Sequence, residues 1–295
     1  MTEKYLMANG LRLCYEEFGA KEDPSIVLIM GLGTQMLSWP INFCTMLADK
    51  GFRVIRFDNR DIGLSQKIET EKPVNLLKLF FRQRLGLEIT APYTLRDMAA
   101  DTIGLLDALE IEKAHWVGAS MGGMIAQLLA AEYPDRTLTL TSIMSTTGRR
   151  QLPQAPPKVL MQMMSRPSAA DQKKYLDHAM KTWALIGSPD YPPDPDELRA
   201  RIKISMERSS YPAGYRNQLA AITESGDRRG ILHRIKCPTL VIHGKADVLV
   251  PVAGGIETAN NIKGAKLELI EGMGHDLPKQ LHSRIANLIE ELIKR

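Results

Sequence analysis

Residues 118–123 read GASMGG and follow the apolar run AHWV at 114–117. One serine among three glycines and an alanine admits three readings. It can be a tight strand-to-helix turn, a glycine-rich loop that cradles a phosphate, or a presented nucleophile. What the rest of the chain supplies decides between them.

Working outward, apolar runs recur at SIVLIM (25–30), RVIRFD (53–58), LTLTSIM (138–144), PTLVIHG (238–244) and AKLELIEG (265–272). Apolar on both faces and rich in β-branched residues, they suit parallel strands covered on both sides. Helical patterns alternate with them. Thr94 precedes LRDMAADTIGLLDAL with Asp97 at the capping-box position, and Leu281, Ile285, Leu288, Ile289 and Leu292 form a late amphipathic stripe. At the start, Asn9-Gly10 between two apolar-bearing runs signals a hairpin. The expected fold class is α/β, a mostly parallel central sheet flanked by helices with an antiparallel hairpin at one edge.

Residues 149–232 break this alternation. Prolines punctuate them at APP (155–157) and YPPDPD (191–196), and no strand pattern appears. Helices cannot extend a sheet, so this segment is expected to pack above it as a cap, with 1–148 and 233–295 forming the core domain. A second irregular stretch, 66–92, carries NLLKLFFRQRLGL, whose apolar side is expected to pack on the body or the cap.

In that frame Gly118-Ala119-Ser120-Met121-Gly122 fits G-x-S-x-G after a strand and before the helix MIAQLLAAEY. A serine aimed out of a sheet needs a sharp, strained turn with small neighbours. The helix N-terminus behind it favours developing negative charge. Serine also needs a general base, and the base an orienting acid. Asp247 leaves the carboxyl end of PTLVIHG, and His275 follows AKLELIEG just before the last helix. The candidate catalytic set is therefore Ser120, Asp247 and His275. An oxyanion needs two N–H donors: one is the backbone N–H of Met121, the other that of Leu32 in the GLGTQ loop (31–35) after SIVLIM. The competing nucleotide readings are weaker. GLGTQM has Met36 where a dinucleotide fingerprint needs its third glycine, and no Lys-Ser/Thr follows GASMGG as a phosphate loop requires.

These features resemble the α/β-hydrolase superfamily over nearly the whole chain: the hairpin, the GLG loop, FDNRDIGLS (57–65), the nucleophile elbow, the cap insertion, HGKADVLVP and GMGHDLP. IMGLGTQMLSWP, the Arg-Asp form of the middle motif and GASMGGMIAQ resemble the aclacinomycin methylesterase-like carboxylesterases in particular. The resemblance implies two-step hydrolysis of carboxylic esters without metal or organic cofactor, and an apolar methionine pocket would suit small to medium uncharged esters. Two departures stand out: Asp61 holds the place of a family glycine, and Met30-Gly31 stands where relatives carry His-Gly, removing a side-chain support from the loop. A serine nucleophile disfavours the Asp-dependent dehalogenases and epoxide hydrolases. Met121 stands where prolyl aminopeptidases often carry Trp. Carbon–carbon hydrolases share G-x-S-M-G-G and stay open, as do cofactor-free perhydrolysis and a receptor that binds a small ligand without turnover. His243 falls within a strand and reads as packing around the site.

The remaining residues bound the problem. Met36, Met121, Met161, Met163 and Met164 can give a deformable apolar pocket, with Met36, Met161 and Met164 as candidate substrate contacts, against the plain alternative that most are ordinary core of the cap. The chain has 295 residues, 44% hydrophobic and 24% charged, with ample material for a large core. A dispersed net charge of +4 speaks against nucleic acid. No signal-like or membrane-length apolar segment is seen, and three widely spaced cysteines fit a reduced, cytoplasmic protein with buried thiols. The oligomeric state is open.

Overall fold

A computed structural model describes residues 2–165, 167 and 171–294. Eight strands form one sheet: β1 (Lys4–Ala8), β2 (Leu11–Phe18), β3 (Ser25–Ile29), β4 (Arg53–Phe57), β5 (Ala114–Ala119), β6 (Thr137–Ile143), β7 (Thr239–Gly244) and β8 (Lys266–Ile270). The order is β1-β2-β4-β3-β5-β6-β7-β8. β1 and β2 are antiparallel and meet at Asn9-Gly10, whose φ angles of 49° and 75° suit the tight turn that follows strand twist. β2 pairs antiparallel with β4, and every later pairing is parallel.

The helices are α1 (Ile41–Ala48), α2 (Leu76–Arg84), α3 (Leu95–Ala108), α4 (Met121–Glu132), α5 (Pro157–Met164), α6 (Gln172–Ile186), α7 (Pro195–Arg208), α8 (Pro212–Ser225), α9 (Arg229–Leu232), α10 (Ala253–Asn260) and α11 (His282–Ile293). Strand alternation divides the core. Val27, Ile29, Trp116 and Leu140 pack with Leu105, Leu106, Ile125 and Leu129 of α3 and α4. Ile26, Leu28, Val117 and Ile242 pack on the opposite face with Phe43 and Leu47 of α1 and Ile285 and Ile289 of α11. The capping box at Thr94 forms in full, its hydroxyl accepting from Asp97 N–H while the Asp97 carboxylate accepts from Thr94 N–H.

After β3 the chain steps to β4 on one side, and later to β5 on the other. The loops leaving β3 and β5 therefore diverge, which opens a crevice at the carboxyl ends of these strands. Residues 149–232, proposed as the cap domain, hold α5–α9, with no strand among the described residues. Residues 166 and 168–170 of that segment, and residues 1 and 295 of the proposed core domain, lie outside the described residues.

The stretch around α2 departs from expectation. Only Leu79 is buried, on the side that packs against α8. Leu77 and Phe81 are 65% and 61% exposed, and Phe80, Leu85 and Leu87 are exposed as well. A helix period fixes which residues share a face, not whether a partner covers it. Here the larger apolar face points outward. Among the described residues, no helix is long and apolar enough to cross a membrane.

Candidate active site

Ser120 sits between β5 and α4 with φ 56° and ψ −119°, a conformation that an L-residue adopts only under strain. The surroundings hold it there. Its N–H donates to Ile143 O at 2.9 Å, and Ser145 Oγ donates to Ser120 O at 2.8 Å. A Cβ on Gly118 would collide with the Gly122 carbonyl, and one on Gly122 with the Ile29 carbonyl of β3. The glycines of the motif are thus required by close approach of the turn to itself and to the neighbouring strand.

His275 and Asp247 meet Ser120 from the sheet's β7–β8 side. His275 Nδ1 lies 2.7 Å from Asp247 Oδ2, and His275 Nε2 lies 3.0 Å from Ser120 Oγ. A carboxylate only accepts, so Nδ1 carries the proton and Nε2 presents its lone pair to the serine hydroxyl. Asp247 Oδ1 accepts from the N–H groups of Leu249 and Val250 at 2.9 and 2.8 Å, which fixes the carboxylate. Burial pushes the Asp247 pKa upward. The adjacent His275 and His243 rings outweigh that and hold it at about 2, so it is ionised at neutral pH. The arrangement can take a proton from Ser120 and stabilise the imidazolium that results.

The loop after β3 abuts the serine: a Cβ on Gly31 would lie 3.1 Å from Ser120 Cβ and 3.6 Å from its Oγ. Among the described residues neither Leu32 N–H nor Met121 N–H donates to any group, so both amides are unspent donors. Met30 lacks a polar side chain, and other residues carry the loop. Asn59 Nδ2 donates to Met30 O at 2.9 Å, Asp58 Oδ1 accepts from Met36 N–H at 2.8 Å, and Gln218 Oε1 accepts from Gly33 N–H at 2.9 Å. Asp61 explains itself too. Its φ of 73° is a glycine-like angle, and its carboxylate accepts from Ile68 N–H, Tyr93 OH and Asn217 Nδ2.

The methionines divide differently from expectation. Met36 is fully buried, and Met161 and Met164 are exposed on α5, Met161 by 68%. Met163 turns inward instead, packing in a cluster with Val159, Trp183, Leu185, Val248 and Leu249, the last two adjoining Asp247. Helical phase gives the reason: Val159 and Met163 are four apart and share the inner face. Among the thiols, Cys14 and Cys44 are buried and free, whereas Cys237 is half-buried.

The profile of the alpha/beta hydrolase fold family matches residues 24–279. The chain belongs to this family. As an α/β hydrolase it is 28% identical over 312 residues to rhodomycin D methylesterase DnrP of Streptomyces peucetius, covering 98% of this chain and 97% of that protein. It is 27% identical over 309 residues to a 2-hydroxy-6-oxononadienedioate/2-hydroxy-6-oxononatrienedioate hydrolase of Burkholderia vietnamiensis, covering 100% of this chain and 96% of that one. The crystal structure of the enol-lactonase from Burkholderia xenovorans LB400 shares this α/β-hydrolase fold with a TM-score of 0.77 at 24% identity, covering 99% of this chain and 100% of that chain.

Proposed function

We propose that the protein is a carboxylic ester hydrolase acting through an acyl-enzyme on Ser120. The observation that carries this reading is the hydrogen-bond chain Ser120–His275–Asp247, at 3.0 and 2.7 Å, on a strained elbow beside two unspent amides. Ser120 Oγ attacks the ester carbonyl carbon as His275 Nε2 takes its proton. The oxyanion accepts from Leu32 and Met121 N–H, and Asp247 stabilises the imidazolium. Collapse breaks the bond to the alcohol oxygen, which receives the proton from His275. Water then adds to the acyl carbonyl, giving its proton to His275. The acid departs and the proton returns to Ser120 Oγ. Ester and water become acid and alcohol.

The methylesterase relative, alike over nearly its full length, supports the ester as the bond attacked. Residues 149–232 act as a cap, and the apolar character of Val159, Met163, Trp183 and Leu185, packed beside the Asp247 loop, supports uncharged esters of small to medium size as substrates. Met163 takes the role expected of Met161 and Met164. The second reading, cleavage of a carbon–carbon bond, is favoured by the full-length likeness to the Burkholderia vietnamiensis hydrolase, and it would use the same serine and histidine.

The test is hydrolysis of p-nitrophenyl esters of increasing acyl length, with Ser120→Ala and a phosphonate label located by mass. Turnover lost in the variant, with the label on Ser120, supports the esterase. Full labelling without ester turnover favours the carbon–carbon reading. Neither turnover nor label overturns the nucleophile and leaves a ligand-binding role.

A further inference from the structure

The insertion of α5–α9 touches the body at the two loops on which the proposed chemistry depends. At the loop after β3, Gln218 of α8, fully buried, accepts from Gly33 N–H at 2.9 Å and donates through Nε2 to Arg60 O at 3.0 Å. Gln35 Nε2 donates to Ser205 O and Ser209 O at 2.7 and 3.0 Å, and Arg208 Nη1 bridges Gln35 Oε1 and Asp58 Oδ2, both at 2.7 Å. At the loop after β8, His275 N–H donates to Ile186 O at 2.7 Å. Gly274 N–H donates to Ser188 Oγ at 2.8 Å, and the same hydroxyl donates to Asp276 Oδ1 at 2.5 Å. The Gln218 bond to Gly33 lies one residue from Leu32, and the bonds from Ile186 and Ser188 fall on His275 and its two neighbours.

Leu32 lies between two peptide planes. The first, which carries its N–H, is fixed within the loop, because Gly31 O accepts from Thr34 Oγ1 at 3.0 Å. The second, which carries Gly33 N–H, is fixed, among the described residues, from the insertion by Gln218. Losing that acceptor would leave a half-buried donor unpaired, and the shift of the loop that satisfies it would carry the adjoining Leu32 peptide, with its N–H, out of place. On the other side, Ser188 uses both its acceptor and its donor capacity to hold the residues flanking His275.

Resting on the esterase reading above, we propose that Gln218 and Ser188 are positioning residues, through which the insertion sets the oxyanion donor and the general base in register. The insertion is then a fixed brace of the site, not a lid hinged over it. Displacements of about 1 Å at such groups cost on the order of a hundredfold in rate, so modest slack is measurable.

The experiment uses the full chain and four variants: Gln218→Met, which keeps length but removes the acceptor; Ser188→Ala; Ser188→Thr, which keeps the hydroxyl; and Glu197→Gln. The last breaks the exposed Glu197–Lys279 ion pair between insertion and body, neither of whose side chains bonds to Gly33, Gly274 or His275. Steady-state ester hydrolysis, the rate of Ser120 phosphonylation and the affinity for a trifluoromethyl ketone are measured on each. Gln218→Met is expected to lower kcat and phosphonylation about tenfold or more, with KM within about twofold and ketone affinity falling in parallel. Ser188→Ala should lower kcat similarly, and Ser188→Thr should restore it to within about threefold of the starting enzyme. Glu197→Gln should match the starting enzyme.

Unchanged kcat in folded Gln218→Met and Ser188→Ala, or a rise in KM alone, overturns the proposal. If Gln218→Met does not fold, the comparison of alanine with threonine at 188 decides. If the unmodified protein shows neither turnover nor label, the esterase reading fails and this proposal falls with it. Turnover with indifferent variants overturns the proposal alone.

Discussion

His243 Nε2 lies 3.6 Å from Asp247 Oδ2 while donating to Val250 O at 2.8 Å, so one buried ring braces both ends of the loop that presents the carboxylate. Among the described residues its Nδ1 has no partner, which leaves the ring anchored by one nitrogen alone. Replacing it with leucine removes that anchor and one of the groups that hold the Asp247 pKa down. His243→Leu is expected to lower kcat roughly tenfold with KM within about twofold, because the defect is one of alignment. Steady-state kinetics at neutral pH check this, and an unaltered kcat would show that Leu249 and Val250 N–H suffice to fix the carboxylate.

Acid should destabilise the fold through a residue far from Ser120 in function. Burial holds the His115 ring at a pKa of about 4, against about 6.5 for an unfolded histidine. Between those values the unfolded chain binds a proton that the native state refuses. Stability from this group is therefore level above pH 6.5, falls as pH drops toward 4, and is level again below. The loss approaches (6.5 − 4) × 1.36, about 3 kcal/mol. Urea unfolding at pH 7, 5.5 and 4 should show a shallower decline for His115→Gln than for the starting protein. Parallel declines would place the acid sensitivity elsewhere.

The elbow glycines should separate by severity. Gly118→Ala sets a Cβ against the rigid Gly122 carbonyl and is expected to yield no soluble folded protein. Gly31→Ala places its Cβ 3.1 Å from Ser120 Cβ and 3.2 Å from Ala119 O, a crowding that small shifts relieve. That variant should fold and melt cooperatively, with kcat lowered about tenfold by displacement of the loop against the serine. Circular dichroism melting beside ester turnover tells the two apart, and full activity in Gly31→Ala would deny the close approach.

The outer face of α2 should tolerate polar substitution. Leu77→Gln and Phe81→Gln remove side chains that bury little, so unfolding free energy should stay within about 0.5 kcal/mol. A loss of about 2 kcal/mol or more in denaturant titrations would mean that a neighbour covers this face in solution.

Much of this architecture is legible in the residues alone. Continuous apolar runs mark β3 to β7 because both faces are covered, whereas β8, read the same way, lies at the sheet edge and is only partly buried. Asn9-Gly10 marks the hairpin because both turn angles are positive, and Thr94 with Asp97 marks a helix start by reciprocal bonding. Ser120, Asp247 and His275 can be picked out because each follows the carboxyl end of a strand, where the sheet gathers loops. The supports are not legible. Gln218 reaches Gly33 across 185 residues and Ser188 reaches Gly274 across 86, so both contacts exist only once the insertion has folded onto the body. Polar residues on a helix, like Gln218, or in the loop past one, like Ser188, that bond to backbone across such distances leave no periodic signal. Met161, Met163 and Met164 were indistinguishable by type, and only the phase set by Val159 turns Met163 inward.

The sheet order has a consequence for synthesis. Ser120 lies in the first half of the chain, while Asp247 and His275 follow β7 and β8 near its end. A nascent chain can fold its hairpin and central strands long before the ribosome delivers the residues proposed to make the serine reactive. Until β8 docks on β7, the strained serine lacks the His275 ring that lies 3.0 Å from it in the folded chain. On the proposed mechanism, a chain stalled or clipped before residue 275 would be inert, however well its earlier elements are packed. Covalent labelling of Ser120 would then report completed folding of the whole polypeptide, more stringently than any spectroscopic measure of its helices and strands.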